Sequence, residues 1–136
     1  MNAGLSIAVS HEQGRVPVTV FHLKGELNMY TSDELEARAE EAFQRGTRDL
    51  VLDLSEVSYI SSAGLRAIQY IYNLLRQSSP TESSQAVSQG LRDGSFTSPH
   101  LKLVSPSPTV AKVLSITGYD KFLQVHPSVE DALASF

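Results

Sequence analysis

The residues with the clearest chemical potential are two adjacent hydroxyls, Ser61 and Ser62. They lie in the stretch Asp53-Leu54-Ser55-Glu56-Val57-Ser58-Tyr59-Ile60-Ser61-Ser62-Ala63-Gly64-Leu65. A short apolar run passes through a turn into the serine pair, and apolar residues at helical spacing follow, so the pair stands where a helix starts. Serine is a favoured helix N-cap because its oxygen accepts a first-turn amide, and at a bare serine pair this structural use has the better claim. The other use is as a phosphate acceptor. First-turn amides and the helix dipole stabilise an anion, so a phosphoserine would be tolerated there without unfolding the domain. An added charge of about −1.5 to −2 at the rim of a contact surface repels an acidic partner and imposes a desolvation penalty, changing affinity but not fold.

Other chemistries find little support in the chain. Its eight glycines are dispersed and compose neither a P-loop nor a dinucleotide fingerprint. His11, His22, His100 and His126 are far apart and lack zinc-ligand spacing, which makes them satisfied or exposed structural histidines, and no metal is expected. No Gly-x-Ser-x-Gly elbow surrounds any serine, so hydrolase chemistry has no positive signal. The absence of cysteine excludes disulfides, thiolate metal sites and thiol nucleophiles. It also permits a reducing compartment, with the cytoplasm as the default. Eleven Lys and Arg against fifteen Asp and Glu give a formal charge of −4, and the basic residues are scattered singly, which argues against a nucleic-acid partner. The start Met1-Asn2-Ala3-Gly4-Leu5 shows no signal-peptide pattern, and no window approaches a membrane span. A receiver domain with Asp53 as phospho-acceptor would need an acidic pair for magnesium, whereas only the separated Glu12 and Glu26 precede the first helix.

The elements that must position the serine pair follow from periodicity. At 136 residues, 41% apolar, the chain fits one domain spanning 1–136 with one core of ordinary size. Residues 5–9 and 16–23 read as a hairpin, with Gly14 supplying a positive φ at the turn. Thr31-Ser32-Asp33-Glu34 reads as a capping box opening a helix with Leu35, Ala39, Ala42 and Phe43 on one face and Gly46 at its end. Along its outer side Glu34 and Arg38, and Glu41 and Arg45, are spaced for ion pairs. Leu50-Val51-Leu52-Asp53-Leu54 is a nearly continuous apolar run, as expected of a mid-sheet parallel strand covered on both faces, with a turn over 55–58 behind it. Leu65, Ile68, Ile71, Tyr72, Leu74 and Leu75 mark the most buried helix. A strand over 101–104 precedes Ser105-Pro106-Ser107-Pro108, where Ser107 caps a helix carrying Val110, Val113 and Leu114 and ending near Gly118. Residues 122–125 give a last strand, and Ser128 with Asp131 starts a terminal helix bearing Val129, Ala132, Leu133 and Phe136. Strand and helix alternate from Val16, which implies an α/β fold with a mostly parallel sheet, an antiparallel N-terminal hairpin and about four helices. Residues 78–99 are Ser-rich and too long for an ordinary connection; they read as a mobile insertion with a marginal helical turn at Ala86, Val87 and Leu91.

Three segments in order resemble the STAS domain family, and within it the bacterial anti-sigma factor antagonists. They are Gly25-Glu26-Leu27 before the first helix, the Asp53-Leu54-Ser55 to Gly64-Leu65 stretch, and Leu103-Val104-Ser105-Pro106-Ser107-Pro108 with Val113-Leu114 and Gly118. The likeness covers nearly the whole chain outside 78–99. It implies a cytoplasmic, cofactor-free binding protein that holds an anti-sigma factor, often a serine kinase of histidine-kinase-like ATP fold, while unphosphorylated. That kinase would phosphorylate Ser62, with Ser61 as second choice, and a PP2C-type phosphatase would restore binding. Gly25, Glu26, Asn28, Ser61, Ser62, Ala63, Gly64 and Arg66 would form the contact face. Many relatives carry Asp where Asn28 and Ser61 stand, so this chain has lost charge on both sides of the acceptor. On the residues alone, Asn28 serves equally well as a turn residue tolerant of left-handed φ, Gly25 as a backbone-geometry residue, and Tyr59 and Leu65 as core. The alternative within the same family is a scaffold or transport-complex subunit that binds without a phospho-switch.

Overall fold

The computed structural model describes residues 4–77 and 98–136. Five strands form one sheet in the order β1-β2-β3-β4-β5: Leu5–Gln13, Pro17–Leu27, Leu50–Ile60, Leu101–Val104 and Gln124–His126. β1 and β2 are antiparallel and all later pairs are parallel. Helices α1 (Ser32–Gln44), α2 (Ser62–Arg76) and α3 (Pro108–Thr117) provide the crossovers, a 3-10 turn at Tyr119–Lys121 follows α3, and α4 (Val129–Ala134) ends the chain. Because the parallel strands lie in sequence order, each right-handed crossover returns to the same side of the sheet. Leu35, Ile68, Ile71, Val110 and Leu114 therefore share one core with Phe21, Leu23, Leu52, Leu54 and Leu103. Leu50, Leu52 and Leu54 point into that core while Val51 points to the opposite face, as the two-residue strand period requires.

The opposite face is only partly covered. Val18, Val20, Val51 and Val104 pack against Ala132, Val129, Leu133 and Phe136 of α4 and its ends. Lys102 joins this layer with 2% exposure. Its Nζ donates to the Ser135 carbonyl at 2.9 Å and Oγ at 2.7 Å and sits 4.3 Å from the centre of the Phe136 ring. Burial lowers its pKa, against the nearby Asp49 charge, which acts to raise it. Expected cover over both faces of the central strand thus holds for Val51 but stops at Asp53, which is half-buried.

Several local expectations are corrected. Gly14 does not take positive φ; Gly25, Gly46 and Gly118 do. The three-residue connection Gly14-Arg15-Val16 closes the hairpin instead, with Gln13 opposite Pro17. β3 continues through 55–58, where a turn was expected. It does so with register shifts against β2, since His22 faces Asp53 and Leu27 faces Ile60. Two extra residues are absorbed as bulges, which explains why the sequence looked like a turn. Thr31 makes no side-chain cap to α1, and Glu34 with Arg38 and Glu41 with Arg45 do not close as ion pairs among the described residues. The last strand falls at Gln124–His126, because Tyr119–Lys121 form the 3-10 turn and Phe122 is its C-cap. Ser107, Ser128 and Gly118 act as caps in the expected places. The insertion over 78–99, with Ala86, Val87 and Leu91, lies outside the described residues except for Ser98 and Pro99; Ser98 is buried and donates its amide to the Phe122 carbonyl at 2.8 Å.

Candidate functional site

The two serines have different jobs. Ser61 is the N-cap of α2, in extended backbone conformation, and its Oγ accepts the Gly64 amide at 3.3 Å while its carbonyl accepts the Leu65 amide at 2.9 Å. Ser62 is the first helical residue and exposed, and its hydroxyl makes no hydrogen bond to the described residues. Ser61 satisfies the structural demand of the helix start and leaves Ser62 free. The first turn of α2 holds no acidic side chain. An anion on Ser62 would therefore meet the positive end of the helix dipole without a carboxylate in the same turn.

The helix start is fastened to the end of β2. The Ser61 amide donates to the Leu27 carbonyl at 2.9 Å. Gly64 is buried, and a Cβ there would lie 2.6 Å from the Leu27 carbonyl oxygen and 2.9 Å from Ile60 and Leu27 side-chain carbons. Only a glycine lets the helix approach this closely. Gly25, with φ +122°, would place a Cβ 2.4 Å from the Gly4 carbonyl oxygen, so its requirement is likewise one of backbone geometry.

Between Gly25 and α1 the chain is knitted by short polar bonds. The Asn28 amide donates to Thr31 Oγ1 at 2.9 Å, and that hydroxyl donates to the Glu26 carbonyl at 2.9 Å. Thr31 is thus spent on the loop, which is why it does not cap α1. The Asn28 carbonyl accepts the Ser32 amide at 2.9 Å and the Ser32 hydroxyl at 2.7 Å, while Asn28 Oδ1 accepts the Tyr30 amide at 2.9 Å and Asn28 Nδ2 donates to Glu26 Oε1 at 3.3 Å. Asn28 adopts no positive φ; it acts through an Asx-type turn.

This stiff loop raises Met29 and Tyr30 into solvent, 68% and 84% exposed. Tyr59, at the end of β3, is 48% exposed, contrary to the core position expected for it, whereas Leu65 is buried as expected. No pattern along the chain marks these exposed side chains, because a single apolar residue in a turn or at a strand end is ambiguous. Arg66, one turn beyond Ser62, is exposed. It also lies near Tyr119, whose phenol is raised by burial while the Arg66 guanidinium acts to lower it. The structure therefore gathers Glu26, Asn28, Ser61, Ser62, Ala63 and Arg66 at one end of the sheet, with Gly25 and Gly64 shaping the backbone beneath them.

A sheet of this order, with three helices on one face, carries an exposed serine at the tip of α2, on a rim built from one loop and one helix start. The STAS domain model matches residues 8–79, and the chain belongs to the STAS domain family. BtrV of Bordetella bronchiseptica, which carries the name of an anti-sigma factor antagonist, is 33% identical over 84% of this chain and 82% of its own length. The anti-sigma F factor antagonist of Paenibacillus polymyxa is 26% identical over 95% of this chain and 92% of its own. In fold, the chain is similar to the crystal structure of an anti-sigma factor antagonist from Mycobacterium paratuberculosis, with a TM-score of 0.72, 24% identity and coverage of 96% and 92% of the two chains. No described helix is long and apolar enough to cross a membrane.

Proposed function

We propose that the protein is an anti-sigma factor antagonist that binds its anti-sigma factor through residues 25–30, from the end of β2 into the following loop, and the start of α2, and that phosphorylation of Ser62 releases it. The observation that carries this reading is the division of labour at the helix start: Ser61 caps, while Ser62 is exposed and unbonded to the described residues. The partner is an anti-sigma factor that is also a serine kinase of histidine-kinase-like ATP fold, so ATP belongs to the partner. A PP2C-type phosphatase resets the switch, and all of this takes place in the cytoplasm. Phosphate on Ser62 replaces a small neutral hydroxyl by a charge of about −1.5 to −2 at the exposed start of α2. It costs contact with that rim but nothing in the core, since the hydroxyl has no internal partner to lose.

Incubation with the cognate kinase and ATP, followed by phosphopeptide mapping, tests the acceptor, and binding of Ser62→Ala and Ser62→Asp tests the switch. The Ala variant is expected to retain the partner and the Asp variant to lose it. Equal binding by both, or phosphate found elsewhere, would refute the reading.

A further inference from the structure

On the face of the sheet that α4 leaves open, three side chains from three adjacent strands form one hydrogen-bonded line. His22 Nδ1 is 2.8 Å from Asp53 Oδ2, and His22 Nε2 is 3.0 Å from Ser10 Oγ. Asp53 is itself held, since its Oδ1 accepts the Ser55 amide at 3.0 Å. An ionised carboxylate has no proton to give, so Nδ1 of a neutral imidazole must donate to it. Nε2 then carries the lone pair and accepts the Ser10 hydroxyl. A hydroxyl, a base and an orienting acid stand in the order that acyl transfer uses.

Burial acts to raise the Asp53 carboxyl, but hydrogen bonds from His22 and from the Ser55 amide and hydroxyl, with the charge interaction with His22, outweigh it, and the group stays below the usual carboxylate range. The carboxylate is covered and the base is reachable, with side-chain exposures of 17% for Asp53 and 41% for His22. Ala8, which faces His22 directly in the β1–β2 register, is exposed and carries only a methyl group. The bulge after Asp53 is what turns the Ser55 amide back onto the carboxylate instead of into the ladder.

We propose that Ser10 is an acyl-acceptor nucleophile, activated by His22 as base and with Asp53 as positioning residue, that takes acyl groups from activated carboxylic esters. Ser10 Oγ bonds to the carbonyl carbon as its proton passes to His22 Nε2. The tetrahedral adduct then collapses, the carbon–oxygen bond to the leaving alcohol breaks, and Nε2 returns the proton to that oxygen. The products are O-acyl-Ser10 and the free alcohol, with His22 neutral again. Ser10 lies within a strand, where backbone amides run along the ladder and do not converge on one point, so solvent meets the oxyanion. The outcome is accordingly a single slow acylation of the protein. It is independent of Ser62.

The full chain is incubated with p-nitrophenyl acetate at neutral pH, with nitrophenolate release followed by absorbance and the acetylated residue located by mass spectrometry. One acetyl group on Ser10 is expected, lost in Ser10→Ala and formed on the order of 10²-fold more slowly in His22→Gln. Asp53→Asn slows it too, and the imidazole 15N shifts of His22 move away from the Nδ1–H tautomer, a change that loss of packing alone would not produce. Circular dichroism verifies that each variant is folded. Acetylation confined to lysines, or equal labelling of Ser10 in wild type and His22→Gln, would overturn the proposal.

Discussion

Separating the capping serine from the free one leads to a quantitative prediction. In Ser61→Ala the Gly64 amide loses its acceptor. At 3.3 Å that bond is at the long end for N–H···O, which argues for a small loss, but Gly64 is buried and water cannot fully replace the serine oxygen. The two effects place the cost near the middle of the range for N-cap removal, about 1 kcal/mol. In Ser62→Ala no bond to the described residues is broken and alanine is the better helix former, so the change stays within about 0.5 kcal/mol. For a chain of this length the capping variant should melt about 4 °C below wild type. Its urea midpoint should fall by about 0.5 M, with the slope unchanged. Ser62→Asp places a carboxylate at the positive end of the α2 dipole and should match wild type or exceed it by about 0.3–1 kcal/mol. Urea titrations followed by circular dichroism at one pH and salt concentration make the comparison. A loss in Ser62→Ala as large as that in Ser61→Ala would place the capping function on Ser62 and remove the ground for calling its hydroxyl free.

Gly64→Ala should destabilise despite alanine's better helix propensity, because the new Cβ would lie 2.6 Å from the Leu27 carbonyl oxygen. Overpacking costs about 1–3 kcal/mol and propensity returns at most about 1 kcal/mol. Denaturation should record the net loss, and amide NMR shifts over residues 27–31 should show the loop displaced. The low Asp53 carboxyl sets a pH dependence. A carboxyl whose folded pKa lies below its unfolded value binds fewer protons when folded, so its stabilisation is full above the unfolded value, about 3.9. It is lost as pH falls through the lower folded value. Asp53→Asn should therefore flatten the acid limb of the stability curve below about pH 4, as measured by melting at a series of pH values; an unchanged limb would count against the His22–Asp53–Ser55 bonding.

Much of the fold was legible because the signals were local and redundant. Ser107 with Pro108, Ser128 with Asp131, and Gly46 and Gly118 punctuate helices through bonds made within one turn, and each lies where the sequence places it. The alternation of strands and helices sufficed to imply a parallel sheet with one antiparallel hairpin, as observed. The expectations that failed are those where a distant partner competes for a local group. Thr31 reads as a cap until the Glu26 carbonyl and Asn28 amide claim its hydroxyl. The 55–58 segment reads as a turn until pairing with β2 extends it as a bulged strand.

The sequence by itself determined that a serine pair opens the most buried helix, because a strand's apolar run and a helix's periodicity meet there in consecutive residues. Which serine is free was decided only in three dimensions, by the extended backbone of Ser61 that turns its Oγ onto the Gly64 amide and by the Leu27 carbonyl that accepts the Ser61 amide. Ser10, His22 and Asp53, separated by 12 and 31 residues, have no shared pattern along the chain. Strand order and register bring them together, and neither is encoded by nearest neighbours.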